Sequence, residues 1–258
     1  MLLFTPLEQF QIISIFSIKV LCLDFSLTNM LFINIIVLFI FSLLVSFFSS
    51  DVDYLNKTSY FFIPNAWQTF IEIVYEAAAQ LAFDNLNEEG EKYFPFIAVL
   101  FTFILFNNLI GLVPYSFTIT SHLIVTLGLS LPIFIGVVII GVQKHKINML
   151  SVFLPPNTQI ALGLLLVPIE LISYIFKPIS LGVRLFANLM AGHTLLKVIV
   201  GFAWSMLLIE NFLSILHIIP LLVLVILMGL ELGVAMIQAY VFTVLTCIYL
   251  NDSINLSH

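Results

Sequence analysis

The chain has 258 residues, of which 62% are hydrophobic and only 9% are Asp, Glu, Lys or Arg; its net charge is −6 and its mean hydropathy +1.19. Soluble domains carry about 25% charged residues, so a soluble enzyme is excluded. So is a nucleic-acid-binding protein, because no basic patch is present to neutralise phosphates. Two cysteines, Cys22 and Cys247, cannot build a disulfide framework, and no Cys/His ligand spacing occurs. No metal or cofactor is therefore expected. The composition leaves an all-α polytopic membrane protein.

Lys and Arg number 8 and Asp and Glu 14, giving 22 formal charges, and their placement divides the chain. None falls between Leu27 and Ser50, and none between Tyr93 and Gln143. A bilayer-crossing helix needs about 20 apolar residues. Leu27–Phe48 (27–48) supplies a first span. The second charge-free run supplies two more, 95–114 and 122–142, separated by the turn-like Tyr115 to Ser121. The start of the chain has no Arg-rich, Ser-rich targeting stretch and no short cleavable signal. Insertion by the compartment that made the chain is therefore expected.

Between the first two spans, Trp67, Phe70, Ile71, Val74, Ala78 and Leu81 recur at helical spacing. Gln68, Glu72 and Glu76 occupy the other face, and Gly90 and Pro95 act as stop signals. The pattern predicts an amphipathic helix over 65–89 lying on the membrane surface. It is either a connector or a surface that packs on a partner subunit. Lys144-His145-Lys146 follows the third span, and positive residues in short loops stay on the side of synthesis. That places this loop and residues 51–94 inside, and the N-terminus outside.

From Pro155 to Leu250 the chain is apolar yet carries Glu170, Lys177, Arg184, His193, Lys197, Glu210, His217 and Glu231, with Gln238 as a buried-type amide. Two long helices are predicted, 157–201 and 211–250. At 1.5 Å per residue they are about 65 and 60 Å long, twice a hydrocarbon core of about 30 Å. Pro168, Pro178 and Pro220 allow kinks. Ser205–Asn211 is the polar turn between the two helices, so two long tilted helices are favoured over four short ones.

Arg184 is the only arginine. In a membrane core it costs between about 3 and over 10 kcal/mol, and it cannot discharge itself. Two readings follow: a fixed ion pair with Glu170 or Glu231, or a permanent charge facing a pathway or a partner's carboxylate. The second is favoured. Asn188 shares the Arg184 face, and Ser180, Gly182, Ala187 and Ala191 flank it; small residues let another helix approach closely. His193 points the opposite way. Glu231 and Gln238 share a face of the last helix, with Ala235 between them, and that face is expected to meet Arg184 or His193. A Glu–His pair is a natural proton relay, while interhelical hydrogen-bond glue is the structural alternative. Asn107 and Asn108 fit glue better than channel lining. Lys177, Lys197 and Glu210 are read as snorkelling to the interface. His217 is either interfacial or at an outer water entrance.

The run from Ser180 through Arg184 to His193, SLGVRLFANLMAGH, resembles the signature of subunit a of F-type ATP synthase. The resemblance extends through Asn107–Phe117 and Glu231–Phe242 and covers the chain from Asn65 onward; Thr5–Phe10 is similar to mitochondrial members. His193 with Glu231 is the mitochondrial arrangement, since many bacterial members exchange the two residue types. The resemblance implies five membrane-crossing helices plus the surface helix, the last two long, tilted and paired as a hairpin. It implies a stator subunit without catalytic chemistry of its own, set beside a rotor ring of c subunits. Peripheral-stalk and other membrane-sector subunits and the lipid bilayer would be its other partners. Protons would reach the ring by an outer half-channel of Glu231, His193 and Gln238, and leave by a matrix half-channel at Glu170. Arg184, with Asn188 beside it, would stand between the two. The location implied is the mitochondrial inner membrane, with the N-terminus in the intermembrane space and the C-terminus in the matrix.

Three rivals are weaker. A secondary transporter is expected to show inverted repeats, and none is visible. A non-conducting scaffold subunit of a respiratory enzyme leaves Arg184 unexplained. An intramembrane enzyme lacks a nucleophile–base pair or metal triad.

Overall fold

The computed structural model describes residues 7–17, 19–20, 23–24, 26–53, 66–86, 90–113, 116–146, 160–208 and 217–255. Six helices dominate: α1 (Asn29–Asp53), α2 (Ala66–Leu86), α3 (Gly90–Gly111), α4 (Leu123–His145), α5 (Ile160–Leu207) and α6 (Ile218–Ile254). Helices α3 to α6 are each long and apolar enough to cross a membrane, and α1 has a shorter apolar stretch at Asn29–Ile40 among the described residues. An all-α polytopic membrane protein is the result. Only the helix satisfies every backbone group within one segment in lipid.

The element boundaries depart from the sequence pattern at three places. Before α1, a small antiparallel ladder pairs β1 (Ser14–Phe16) with β4 (Leu27–Thr28), and another pairs β2 (Lys19–Val20) with β3 (Leu23–Asp24). The first span therefore starts at Asn29 rather than Leu27. The Asn29 carboxamide fixes that start: its oxygen accepts from the Met30 and Ile13 amides at 2.9 and 3.2 Å, and its amide donates to the Gln11 carbonyl.

Second, α2 stops at Leu86, before Gly90 and Pro95, but α3 begins at Gly90 rather than at Pro95 and runs through that proline. Pro95 is the sixth residue of the helix, so the backbone bond it forfeits reaches back only to the exposed first turn, where disruption is cheapest. Third, Ser205 does not end α5. Its hydroxyl donates to the Phe202 carbonyl at 2.8 Å and the helix runs on to Leu207. Ile209, Glu210 and Asn211 of the expected turn lie outside the described residues. Pro168 and Pro178 sit inside an unbroken α5. Pro220 falls in the first turn of α6, where a missing N–H costs nothing.

Two clusters form the core. Ala78 and Leu81 of α2, Leu100, Phe101 and Ile104 of α3, Leu181, Leu185 and Leu189 of α5, and Ala239 and Phe242 of α6 make the first. Ala82, Leu86, Ile97, Val137, Cys247, Leu250 and Ile254 make the second. The amphipathic helix α2 thus docks by its C-terminal half. Phe70, expected on the docking face, is exposed with Glu72 and Glu76. Side chains pointing outward from α5 and α6, such as Leu165, Phe176, Val225 and Ile237, are 58–63% exposed, as a lipid-facing surface requires.

Helix order follows from the contacts. Lys177 faces Asp252, Asn188 faces Gln238 and Gly192 faces Glu231, so α5 and α6 are antiparallel. Phe134 packs on Tyr174 while Thr126 and Ser130 pack on Gly182, so α4 and α5 are antiparallel too. A Cβ at Gly182 would stand 2.8 Å from Ser130 Oγ and 3.0 Å from the Leu127 side chain. Gly182 therefore serves the close approach of α4 and is not on the Arg184 face. His145 Nε2 lies 2.7 Å from the Ile254 carbonyl, bringing the C-terminal ends of α4 and α6 to the same end of the bundle.

The α5–α6 polar column

Helix α5 spans 48 residues, about 72 Å at 1.5 Å per residue, and so carries several polar levels across the bundle. Glu170, the one acidic residue of α5, is half-buried. Lys177 comes next. It does not simply snorkel: its ammonium lies 3.8 Å from Asp252 and 5.4 and 5.1 Å from the Tyr174 and Tyr249 ring centroids. Such cation–π contacts partly replace water around an ammonium.

Arg184 is exposed, on a face shared with the exposed Ser180, Ala187 and Ala191. Among the described residues it makes no ion pair, so neither Glu170 nor Glu231 neutralises it. A permanent cation is thus presented outward from the middle of an apolar helix, framed by side chains too small to block an approaching partner.

One turn further, Asn188 Nδ2 donates to Gln238 Oε1 at 2.9 Å. The Glu231–Gln238 face, expected to meet Arg184 or His193, meets Asn188 and Gly192, the residue before His193. Glu231 occupies space that a side chain at Gly192 would fill, since a Cβ there would collide with the Glu231 Oε1 and lie 3.0 Å from its carboxyl carbon. Gly192 was not singled out from the sequence, and no local signal marks it. Its function appears only when α6 is laid against α5.

Glu231 Oε1, His193 Nε2 and Gln238 Nε2 are buried and have no hydrogen-bond partner among the described residues. His193 and Glu231 are therefore not hydrogen-bonded to one another through those atoms. Each of these atoms is suited to ordered water, because buried polar groups are otherwise satisfied. Asn108 is fully buried; its amide donates to the Ala235 carbonyl at 3.3 Å, cross-linking α3 to α6, while its Oδ1 is unpartnered. Asn107 instead donates to the Phe103 carbonyl of its own helix at 2.8 Å. The two asparagines differ in geometry where the sequence treated them alike. Among the described residues, no three His, Cys, Asp or Glu side chains converge on a point that would hold a metal.

Gly192→Ala is expected to leave the helices assembled but push the Glu231 carboxyl out of place. Overpacking of this kind costs about 1–3 kcal/mol. Activity should fall much further than thermal stability. Equal losses in both would mean that Gly192 serves packing alone.

The sequence matches the family described as ATP synthase A chain over residues 12–251. It is 50% identical over 252 residues to ATP synthase subunit a of Chondrus crispus, covering 98% of this chain and 96% of that protein. It is 53% identical over 250 residues to the subunit a of Pylaiella littoralis, covering 97% and 98%. To that of Marchantia polymorpha it is 47% identical over 255 residues, covering 98% of each.

Proposed function

The chain belongs to the ATP synthase A chain family, and from that premise we propose how its geometry couples proton movement to rotation. It is a proton-translocating membrane subunit of the ATP synthase, with no catalytic chemistry of its own. The exposed face of α5 around Arg184 takes the rotor ring of c subunits, each bearing a membrane-buried carboxylate. Protons from the outer side reach Glu231, His193 and Gln238, pass to a ring carboxylate and are carried round the ring. They are released into a matrix half-channel at Glu170. Arg184, steadied by neighbours such as Asn188, favours the ionised ring carboxylate and repels a proton attempting to pass directly. Peripheral-stalk and other membrane-sector subunits complete the complex.

One observation carries this reading. The only arginine is outward-facing and unpaired among the described residues, and it stands beside a buried column of polar atoms without partners. Glu231 lies on α5–α6 away from the α6 C-terminus, and Glu170 lies on the other side of Arg184. The two half-channels are therefore offset along the pair. The positive Lys144 and Lys146 share their end of the bundle with the α6 C-terminus, through His145 and Ile254. This supports the matrix for that end and the intermembrane space for the N-terminus, in a mitochondrial inner membrane.

The test is potential-driven passive proton flux through vesicles holding the assembled complex, with and without Arg184→Ala. The expected result is that ATP synthesis vanishes while passive flux persists. Unchanged synthesis together with unchanged flux would make the arginine structural and remove the proton path from this chain.

A further inference from the structure

The polar loop between α3 and α4 is not used by the mechanism above. The sequence marks it as a turn, yet Phe117, Thr118, Ile119, Thr120 and Ser121 are all buried, and the Ile119–Ser121 segment packs against α3, α4 and α5. Most of its hydroxyls are satisfied locally. Ser116 Oγ donates to the Ile110 carbonyl at 2.7 Å, Thr118 Oγ1 to Ser121 Oγ at 2.6 Å, and Ser121 Oγ to the Thr118 carbonyl at 2.6 Å. Two groups are not satisfied: Thr120 Oγ1, in a residue only 6% exposed, and His122 Nε2 are buried without partners. The His122 ring is held in place by stacking on Phe117, 5.1 Å between centroids.

The loop is clamped close to the polar column. A Cβ at Gly111 would stand 2.9 Å from the Thr118 methyl, so the loop lies directly on the end of α3. Asn108, with its own unpartnered Oδ1, lies three residues back, about 4.5 Å along the helix. The Asn108 amide reaches Ala235, midway between Glu231 and Gln238 on α6. Leaving one buried polar group unmet costs about 1–3 kcal/mol, which natural structures avoid unless water or a ligand meets it. None of these atoms lies in the half of the bundle that holds Lys177 and Glu170.

We propose that the 116–122 loop is the water-lined mouth of the outer half-channel, with Thr120 and His122 holding a hydrogen-bonded file of water that leads past Asn108 to Glu231 and Gln238. The proposal rests on the half-channel reading above and adds the route by which water enters it.

The test uses the assembled complex in membrane vesicles, with Cys22 and Cys247 replaced by alanine and single cysteines introduced as Thr120→Cys, His122→Cys and Gln238→Cys. Thr126→Cys is the control, at a buried position whose hydroxyl bonds its own helix. A membrane-impermeant methanethiosulfonate cation is applied from each face in turn. Thiols in apolar surroundings ionise less, by a unit or more, so the two loop cysteines are expected to react about tenfold faster than the control from the outer face only. If Gln238→Cys reacts from the outer face and neither loop cysteine does, the half-channel stands and the loop is not its mouth. If none of the three reacts, the outer half-channel itself fails. A Thr120→Val/His122→Gln double variant gives a second reading that does not depend on the cysteines assembling. Potential-driven proton flux per assembled complex is expected to fall severalfold, and unchanged flux overturns the proposal.

Discussion

Arg184→Lys is expected to abolish ATP synthesis while leaving the membrane sector assembled, although the formal charge is kept. The position is exposed on α5, and no carboxylate among the described residues holds it, so the substitution breaks no ion pair there. What it supplies is a cation that a mobile carboxylate meets. At about 4 Å and an effective dielectric near 20, a unit pair is worth about 4 kcal/mol, or about three decades in the ionisation equilibrium of that carboxylate. A guanidinium supplies this without discharging, in a rigid fork, at a lower cost of dehydration. A lysine ammonium in the same apolar setting sheds its proton readily, and the barrier between the half-channels goes with it. Synthesis is expected to fall by at least about a hundredfold on that scale, measured per assembled complex. Near-normal synthesis would show that any cation serves and that the fixed guanidinium is not the separator.

Glu231→Gln is the second large effect. The substitution keeps volume and shape, so the space opened by Gly192 still accommodates the side chain and α5–α6 packing is retained. It removes the ability to take up and release a proton. Positioned proton-transfer groups contribute about 10²- to 10⁴-fold in rate, so proton uptake from the outer side, and synthesis with it, is expected to drop by about the lower end of that range or more. Among the described residues Glu231 Oε1 has no hydrogen-bond partner, so the substitution breaks no bond at that atom. Loss of the assembled membrane sector in this variant would instead identify Glu231 as interhelical glue. Comparison with Gly192→Ala is informative: one change alters the group and the other its position, and the two are expected to slow the same step.

Most of the architecture was legible from the chain because a membrane imposes strong rules on composition. The absence of charge over Leu27–Ser50 and Tyr93–Gln143 marks spans directly, since lipid tolerates neither a charge nor an unpaired backbone group. The excess length of the last two segments required tilt, because helix rise and bilayer thickness are both fixed. A lone arginine in such a segment stands out from its cost alone. Glu170, His193, Glu231 and Gln238 stood out for the same reason.

Pairing between helices was not legible. Which residues of α5 and α6 meet depends on the relative shift of two long helices. That shift is set by features such as the Gly192 space for Glu231 and the Lys177–Asp252 contact, more than 35 residues apart in sequence. The Glu231–Gln238 face, expected to meet Arg184 or His193, bonds Asn188 through Gln238 and sits against Gly192 through Glu231. Gly182 likewise belongs to the α4 contact because of how Ser130 and Leu127 approach it, which helical spacing on one segment cannot reveal. The fate of 116–122 is the clearest case. Its Ser, Thr and His residues have the composition of an exposed turn, and only the packing of α3, α4 and α5 around it makes those side chains buried. The sequence by itself determined which segments are long and apolar enough to span and which residues are expensive enough to stand out, because those follow from one helix against one solvent. The tertiary structure decided which polar groups meet and which stay unpartnered, because those depend on contacts between segments far apart in the chain.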